Sequence, residues 1–239
     1  MRTTNYADKL QRTSTDRTTE RLSDYLSVYF REYFSSPNIS VLDVGCGVGL
    51  YMEAIKNMGI EDVEGIEIDK SCFLVCEKKG LRVINGNILN VEALNIKKKF
   101  DIVVSFDVIE HLQIEDVPLY IKNCLDLLKE DGRLIIRTPS MNNPFSLPIR
   151  YIDITHRIGF TDDSLRQLMD EFGKKKFSIF FADIFVIKDR HFSRRLLKFF
   201  AKILLRLMDF AMQVYYYIYN STWKNMGLDI IMVIEKNEE

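Results

Sequence analysis

Three side chains that can move protons or hold an ion fall together in the run Asp107-Val108-Ile109-Glu110-His111. If this run opens a helical turn, Asp107, Glu110 and His111 stand at i, i+3 and i+4 and share one face. His111 is then a natural general base, because an imidazole with a pKa of about 6.5 can take a proton from a hydroxyl. Two other readings stand beside it. Asp107 and Glu110 can cap the free N–H groups of a helix start while His111 packs. Alternatively, Asp107, Glu110 and His111 can ligate a divalent metal ion, which two carboxylates and an imidazole suit. A second constellation lies in Tyr151-Ile152-Asp153-Ile154-Thr155-His156. Here His156 is another candidate base or substrate ligand, and the plain alternative is a histidine that donates to a loop carbonyl. Arg150 and Arg157 flank it and can pair with a phosphate or face solvent.

A third feature belongs to the backbone. Gly45-Cys46-Gly47-Val48-Gly49 follows the β-rich run Ile39 to Val44 and opens a helical segment that reaches Met58. Glycines admit positive φ and let a ligand approach the chain closely. The helix start then offers free N–H groups to a polar or anionic ligand. Glu67 ends the next strand, about 20 residues on, where a carboxylate accepts the ribose hydroxyls of a nucleoside. Asp69 competes for that role.

The elements that must position these groups alternate. A helix is predicted over Thr15 to Phe34, ended by Pro37. Strands are predicted at Val63 to Glu67, Leu81 to Asn85, Phe100 to Phe106 and Arg133 to Thr138. Helices are predicted at Ser71 to Lys79 and Val117 to Lys129, and Glu130-Asp131-Gly132 reads as a turn. Such alternation implies βαβ units and a parallel sheet, which binds ligands outside the carboxyl ends of its strands. The glycine turn, Glu67, Gly86 to Ile88 and Ser105 to His111 all fall at those ends. After Thr138 the alternation stops, and Pro139, Pro144 and Pro148 punctuate a loop that runs to about Gly159; a loop of that length is more often functional than idle. Thr161 is the expected N-cap of a helix to Phe172. Phe177 to Ile187 and Asp229 to Glu235 read as late strands, separated by a long helical segment, Arg194 to Tyr219.

The glycine run resembles the first motif of the class I, Rossmann-like, S-adenosylmethionine-dependent methyltransferases, and departs from the Gly-x-Gly-x-x-Gly spacing of dinucleotide-binding proteins. Gly65-Ile66-Glu67 is similar to that family's second motif. Gly86-Asn87-Ile88 resembles the third, with Asn where the family more often has Asp. Phe100-Asp101-Ile102-Val103-Val104-Ser105 resembles the fourth strand, and Leu128 to Leu134 the turn before the fifth. The resemblance implies an α/β fold: a Rossmann-like, mostly parallel seven-stranded sheet with helices on both faces and a late antiparallel strand. It implies S-adenosylmethionine as cofactor. Asp43, Gly45, Cys46, Gly47 and Gly49 would form the loop against the methionine part, with Cys46 a small residue beneath it. Glu67 and Ile68 would meet the ribose, Asn87 and Ile88 the adenine, and Phe106 would line the cleft. His111, His156 and Asp107 are the catalytic candidates.

One domain over 1–239 is expected, with a helical cap at 1–37, a cofactor-binding core at 38–138, and a substrate lid, late strands and amphipathic helix at 139–239. The Asp-x-Thr-His loop resembles a branch of these enzymes found in bacterial polysaccharide and natural-product pathways, which implies O-methylation of a sugar or glycan-precursor hydroxyl. A quinone or phenol acceptor is the alternative, since ubiquinone-pathway O-methyltransferases carry a similar acid-x-x-Glu-His stretch. An NAD(P)-dependent oxidoreductase and a non-catalytic S-adenosylmethionine-binding protein are the readings from other classes.

Composition narrows the partners. Thirty-three basic residues balance 34 acidic ones, which argues against nucleic acid. Cys46, Cys72, Cys76 and Cys124 show neither paired zinc spacing nor a disulfide framework, and no signal peptide or spanning helix is expected, so the reading is cytoplasmic. In the late helix, Lys198, Lys202 and Arg206 recur every four residues beside a broad apolar face. Packing on the sheet is the simplest reading of that helix. Peripheral contact with the inner membrane face and a homodimer through 194–219 are the alternatives.

Overall fold

In the late strands, successive side chains go to opposite faces of the sheet, and the sequence fills both faces with apolar groups. Leu134 and Ile136 pack into one core and Ile135 into the other; Ile230, Met232 and Ile234 face the first, Ile231 and Val233 the second. The structure is a computed structural model that describes residues 16–143, 146–173, 176–182, 192–218 and 228–236.

The described elements follow in chain order. Helix α1 (Asp16–Tyr29) precedes β1 (Ser40–Val44), α2 (Leu50–Asn57), β2 (Asp62–Glu67), α3 (Lys70–Lys78) and β3 (Arg82–Asn85). Then come β4 (Phe100–Phe106), α4 (Val117–Asp126), β5 (Leu128–Pro139), α5 (Leu147–Ile152), α6 (Asp162–Asp170), β6 (Phe177–Ala182), α7 (Phe192–Ile218) and β7 (Asp229–Glu235). Short 3₁₀ turns lie at Ile88–Leu94, Ile109–His111 and Ile114–Asp116.

The strands form one seven-stranded sheet in the order β3-β2-β1-β4-β5-β7-β6. β1 to β5 run parallel, while β7 inserts antiparallel between β5 and β6. The chain reverses its direction across the sheet between β1 and β4, so the carboxyl ends of these two strands flank the switch point where doubly wound sheets bind ligands. β1 is buried along its whole length, as a central parallel strand must be.

Two hydrophobic cores cover the two faces. One gathers Phe100, Val103, Tyr120, Ile121, Leu165 and Met169; the other gathers Leu26, Phe30, Met52, Ile55 and Val104. Inside the first, the Tyr120 hydroxyl meets Ser105 Oγ at 2.7 Å, so the polar end of a fully buried ring has its partner.

The structure corrects several expectations. Helix α1 ends at Tyr29 rather than Phe34, and a short turn carries Phe30 and Phe34 into the core. Glu130-Asp131-Gly132 lies within β5 as an irregularity: Phe100 pairs with Leu128 but Ile102 pairs with Arg133. The expected loop after Thr138 contains α5 and is pinned by the bridge Ser140–Phe160. Helix α7 was expected to pack on the sheet. Among the described residues it shares no extended packing seam with any other element, and its apolar arc is exposed, because the two cores already cover the sheet. The strand expectation at 183–187, Pro144, and the side chains of Lys198 and Lys202 lie outside the described residues.

Thr161 fulfils its expected role. Its hydroxyl accepts from Ser164 N at 3.1 Å and Ser164 Oγ accepts from Thr161 N at 2.9 Å, a reciprocal cap on α6. Thr161→Ala should cost about 1 kcal/mol. That corresponds to a drop of roughly 2–4 °C in Tm for a chain of this size, checked by thermal denaturation.

Candidate active site

The glycine turn is built against β2. Gly45 N and Cys46 N both donate to the carbonyl of Ile66, at 2.8 and 3.2 Å. Gly45, Gly47 and Gly49 have φ of 79°, 55° and 81°, in the left-handed region that a side chain would strain. Gly45 is also required sterically, since a Cβ there would stand 2.5 Å from Val108 Cγ2. Gly47 N donates to Glu67 Oε2 at 2.7 Å, and Asp69 N to Glu67 Oε1 at 2.7 Å. The Glu67 carboxylate therefore ties the turn to the end of β2. Burial pushes its carboxyl above the ordinary range, and these backbone donors pull it back.

Asp43 lies directly beneath. It is fully buried and its Oδ2 has no hydrogen-bond partner. Burial first, and the Glu67 charge second, push its carboxyl up to about 7. Cys46 is buried under the turn against Gly65, which has room for no side chain: a Cβ would meet Cys46 Sγ at 2.8 Å. Asp69 is committed elsewhere. Its Oδ1 accepts from Ser71 N and Cys72 N at 2.8 and 2.9 Å and caps α3, so Glu67 alone remains as the inward acid of the pair.

The structure therefore brings Asp43, Gly45, Cys46, Gly47, Gly49 and Glu67 together around one turn. Ile68 and Asn87 stand on the rim at the ends of β2 and β3. Ile68 is exposed, Asn87 Oδ1 accepts from Leu89 N at 2.9 Å, and Ile88 is buried. Phe106, at the end of β4, is buried rather than open to a cleft. It stacks on Phe30 with ring centroids 5.7 Å apart and meets Tyr51 edge-on at 4.7 Å.

The run after β4 is not a regular helical turn. Asp107 has φ of 57°, an unusual left-handed conformation for a residue with a side chain. It is held there by Arg137, at the end of β5. Arg137 Nε donates to Asp107 Oδ1 at 3.1 Å, Nη2 donates to Oδ2, and Nη1 donates to the Tyr51 hydroxyl. Arg137 is buried among the rings of Tyr25, Tyr51 and Phe106. The expected common face of Asp107, Glu110 and His111 is thereby corrected. The left-handed step at Asp107 breaks the helical spacing, and the carboxylate is an ion-pair partner of Arg137.

Past that step, a 3₁₀ turn sends Glu110 inward and leaves His111 near the surface. Glu110 is buried. Its Oε2 accepts from the Thr138 hydroxyl at 3.2 Å, and its Oε1 has no partner. Burial and the nearby Asp107 push its carboxyl up to about 8. Its backbone carbonyl accepts from Arg157 N and Ile158 N at 2.7 and 3.1 Å, which locks the loop 153–158 onto the turn.

The lid brings Asp153, Thr155 and His156 against His111. Thr155 Oγ1 lies 2.9 Å from His111 Nδ1 and 2.7 Å from Asp153 Oδ1. The rings of His111 and His156 meet edge-on with centroids 4.7 Å apart. Burial, and then His156, push His111 below its ordinary pKa of 6.5. Arg150 donates to the carbonyls of His156 and Arg157 and so braces the lid backbone; Arg157 is exposed.

The candidate metal set is also regrouped. Ligand atoms of Glu110, His111 and His156 lie within 4.8 Å of one another, while Asp107 is drawn away by Arg137. Sequence reasoning missed Arg137, Tyr51, Thr138 and Thr155. The single available signal was an arginine closing the apolar run Leu134-Ile135-Ile136.

The chain belongs to a known family. A family model described as a methyltransferase domain matches residues 3–177. The fold is that of the S-adenosylmethionine-dependent methyltransferases. A SAM dependent methyltransferase from Archaeoglobus fulgidus superposes with a TM-score of 0.65 at 22% identity, covering 91% of this chain and 94% of that one. The plantazolicin methyltransferase BamL, in complex with a triazolic desmethylPZN analog and SAH, gives 0.62 at 18% identity, covering 96% and 90%. Among curated proteins, the ubiquinone biosynthesis O-methyltransferase of Pelagibacter ubique (strain HTCC1062) is 36% identical over 104 residues. That of Bradyrhizobium diazoefficiens is 31% identical over 115 residues. These matches span 42% and 44% of those proteins, and 42% and 46% of this chain, so the chain matches less than half the length of these relatives.

The buried Asp43 sets a pH dependence. Its folded pKa of about 7 exceeds the ordinary 3.8, so the folded chain holds a proton that the unfolded chain releases between these values. Stability therefore falls as pH rises from 4 to about 7, and is flat above. Asp43→Asn removes this dependence. The Tm of the variant relative to the parent should rise between pH 4 and about pH 7 and level off above, and a difference independent of pH would sink the assignment.

Proposed function

We propose that this chain transfers the methyl group of S-adenosylmethionine to a hydroxyl oxygen of a small acceptor, with His111 as the general base. The carrying observation is the chain Asp153–Thr155–His111. The Asp153 carboxylate accepts the only hydroxyl proton of Thr155, at 2.7 Å. Thr155 Oγ1 must then accept from His111, at 2.9 Å, which places the imidazole proton on Nδ1 and leaves the Nε2 lone pair free. The lowered pKa of His111 keeps the ring neutral at pH 7. A neutral imidazole held in one tautomer is the form a base requires.

S-adenosylmethionine, when bound, supplies an electrophilic methyl on a sulfonium. As the acceptor oxygen takes up that methyl and the thioether leaves, His111 Nε2 would take the hydroxyl proton. Glu67 would accept from the ribose hydroxyls, Gly45 and Gly47 would allow close approach to the methionine part, and Asp43 would order the turn beneath. Asn87, beside Ile68 and Ile88, would meet the adenine. Membership of the methyltransferase family sets aside the oxidoreductase reading.

For the acceptor, the name of the curated relatives favours a phenol- or quinol-type hydroxyl over the sugar hydroxyl that the lid motif implied. An acidic aromatic hydroxyl also needs less help from the base, which suits a histidine of lowered pKa. A divalent cation is a second reading of the same groups. Glu110 Oε1 is buried without a partner, and a carboxylate oxygen of Glu110 lies within 4.8 Å of a ring nitrogen of each of His111 and His156, a donor set that fits such an ion. A cation held there would lower the pKa of the acceptor hydroxyl.

His111→Ala should lower kcat by about 10²-fold or more, with cofactor affinity, read by titration calorimetry, essentially unchanged. The kcat/KM of the parent should rise with pH through a midpoint below 6.5, the ordinary value for histidine, and level off above it. Turnover of His111→Ala within a few-fold of the parent would overturn the base assignment. Chelation divides the two readings: activity that survives EDTA supports the base alone, and activity lost with EDTA and restored by one divalent ion supports the cation.

A further inference from the structure

We propose that helix α7 seats this protein on an anionic lipid bilayer surface. Phe200, Ile203, Leu204, Leu207, Phe210 and Val214 recur at three- and four-residue spacing and form one continuous arc of the helix. Every one of them is exposed, with Leu207 at 62% and Phe210 at 66%. An arc of large apolar groups facing water on a 27-residue helix is not a scatter of single exposed residues. Nothing among the described residues covers it, since the two cores occupy the faces of the sheet.

Charge decides the occupant. Positions 198, 202 and 206 lie on the polar side of the helix, with 206 bordering the apolar arc, and the helix carries five basic residues against one acidic, in a chain of net charge −1. Arg206 is exposed. A second copy of the helix would add five more basic residues with one acidic residue to offset them. An anionic surface complements them while the apolar arc enters the interface between headgroups and acyl chains. Among the described residues no helix is long and apolar enough to cross a membrane, so α7 lies in the plane of the surface. This inference is independent of the methyl acceptor and of the assignment of His111.

The test is co-sedimentation of the full chain with vesicles of phosphatidylcholine, alone and with about 30% phosphatidylglycerol. Binding is expected only to the anionic vesicles and should weaken as salt rises. Phe200→Glu/Leu207→Glu should weaken it at least tenfold, and Lys198→Gln/Lys202→Gln should move the salt midpoint down. Phe200 and Leu207 are exposed, so their substitution should leave the thermal melt unchanged; if the double glutamate variant does not fold, Leu204→Ser serves in its place. Failure of the parent chain to sediment with anionic vesicles would overturn the proposal. So would a dimer by light scattering that the apolar substitutions abolish, which would assign the face to a second copy.

Discussion

A guanidinium taken out of water needs a counter-charge, and the arrangement of the site descends from how Arg137 finds its own. The arginine closes β5 inside the second core, where leaving it unpaired would cost several kcal/mol. Asp107 is the nearest carboxylate, at the end of the adjacent parallel strand β4, and it reaches Arg137 only by taking a left-handed backbone. That single step ends β4, turns the chain, buries Glu110 and brings His111 to the side where the lid arrives. Tyr51, Tyr25 and Phe106 complete the arginine's shell with a hydroxyl and aromatic faces. The same shell ties α1 and α2 to the carboxyl ends of β4 and β5.

The glycine turn shows a related economy. Glu67 holds the turn closed through Gly47 N and Asp69 N, and in the proposed reaction the same carboxylate meets the ribose. A carboxylate already desolvated and aimed by backbone donors loses little further freedom on binding, which is the general advantage of preorganisation. Asp43 stands under it at a cost in stability, since its carboxyl is buried beside a second one. A buried, under-partnered acid at this place is what a site built for a ligand, rather than for the empty fold, would retain.

Much of the cofactor half was legible in the sequence. Gly45, Gly47 and Gly49 follow a strand, Glu67 ends the next, and both facts depend on local conformation and on a strand–helix alternation that one pass along the chain reveals. The strand β4, with its apolar run from Ile102 to Val104, and the Thr161 cap were legible for the same reason. The acceptor half was not. Asp107, Glu110 and His111 are adjacent in sequence, and local spacing favoured a shared helical face. What separates them is an arginine 30 residues away and a lid loop more than 40 residues away. Thr155, which orients His111, carries no local mark of that role.

The sequence by itself therefore determined the class of fold, the glycine turn with its acid, and the residue types from which a base or an ion site can be made, because these rest on backbone propensity, period and short-range spacing. Only the tertiary structure decided which of them meet. It paired Asp107 with Arg137 because a buried charge must be answered. It joined His111 to Thr155, Asp153 and His156 because the lid docks on the carbonyl of Glu110. Among the described residues it left the apolar arc of α7 uncovered because both faces of the sheet were already filled. Each of these outcomes depends on which surfaces are left to compete once the core has formed, and that competition is not written in any local stretch of the chain.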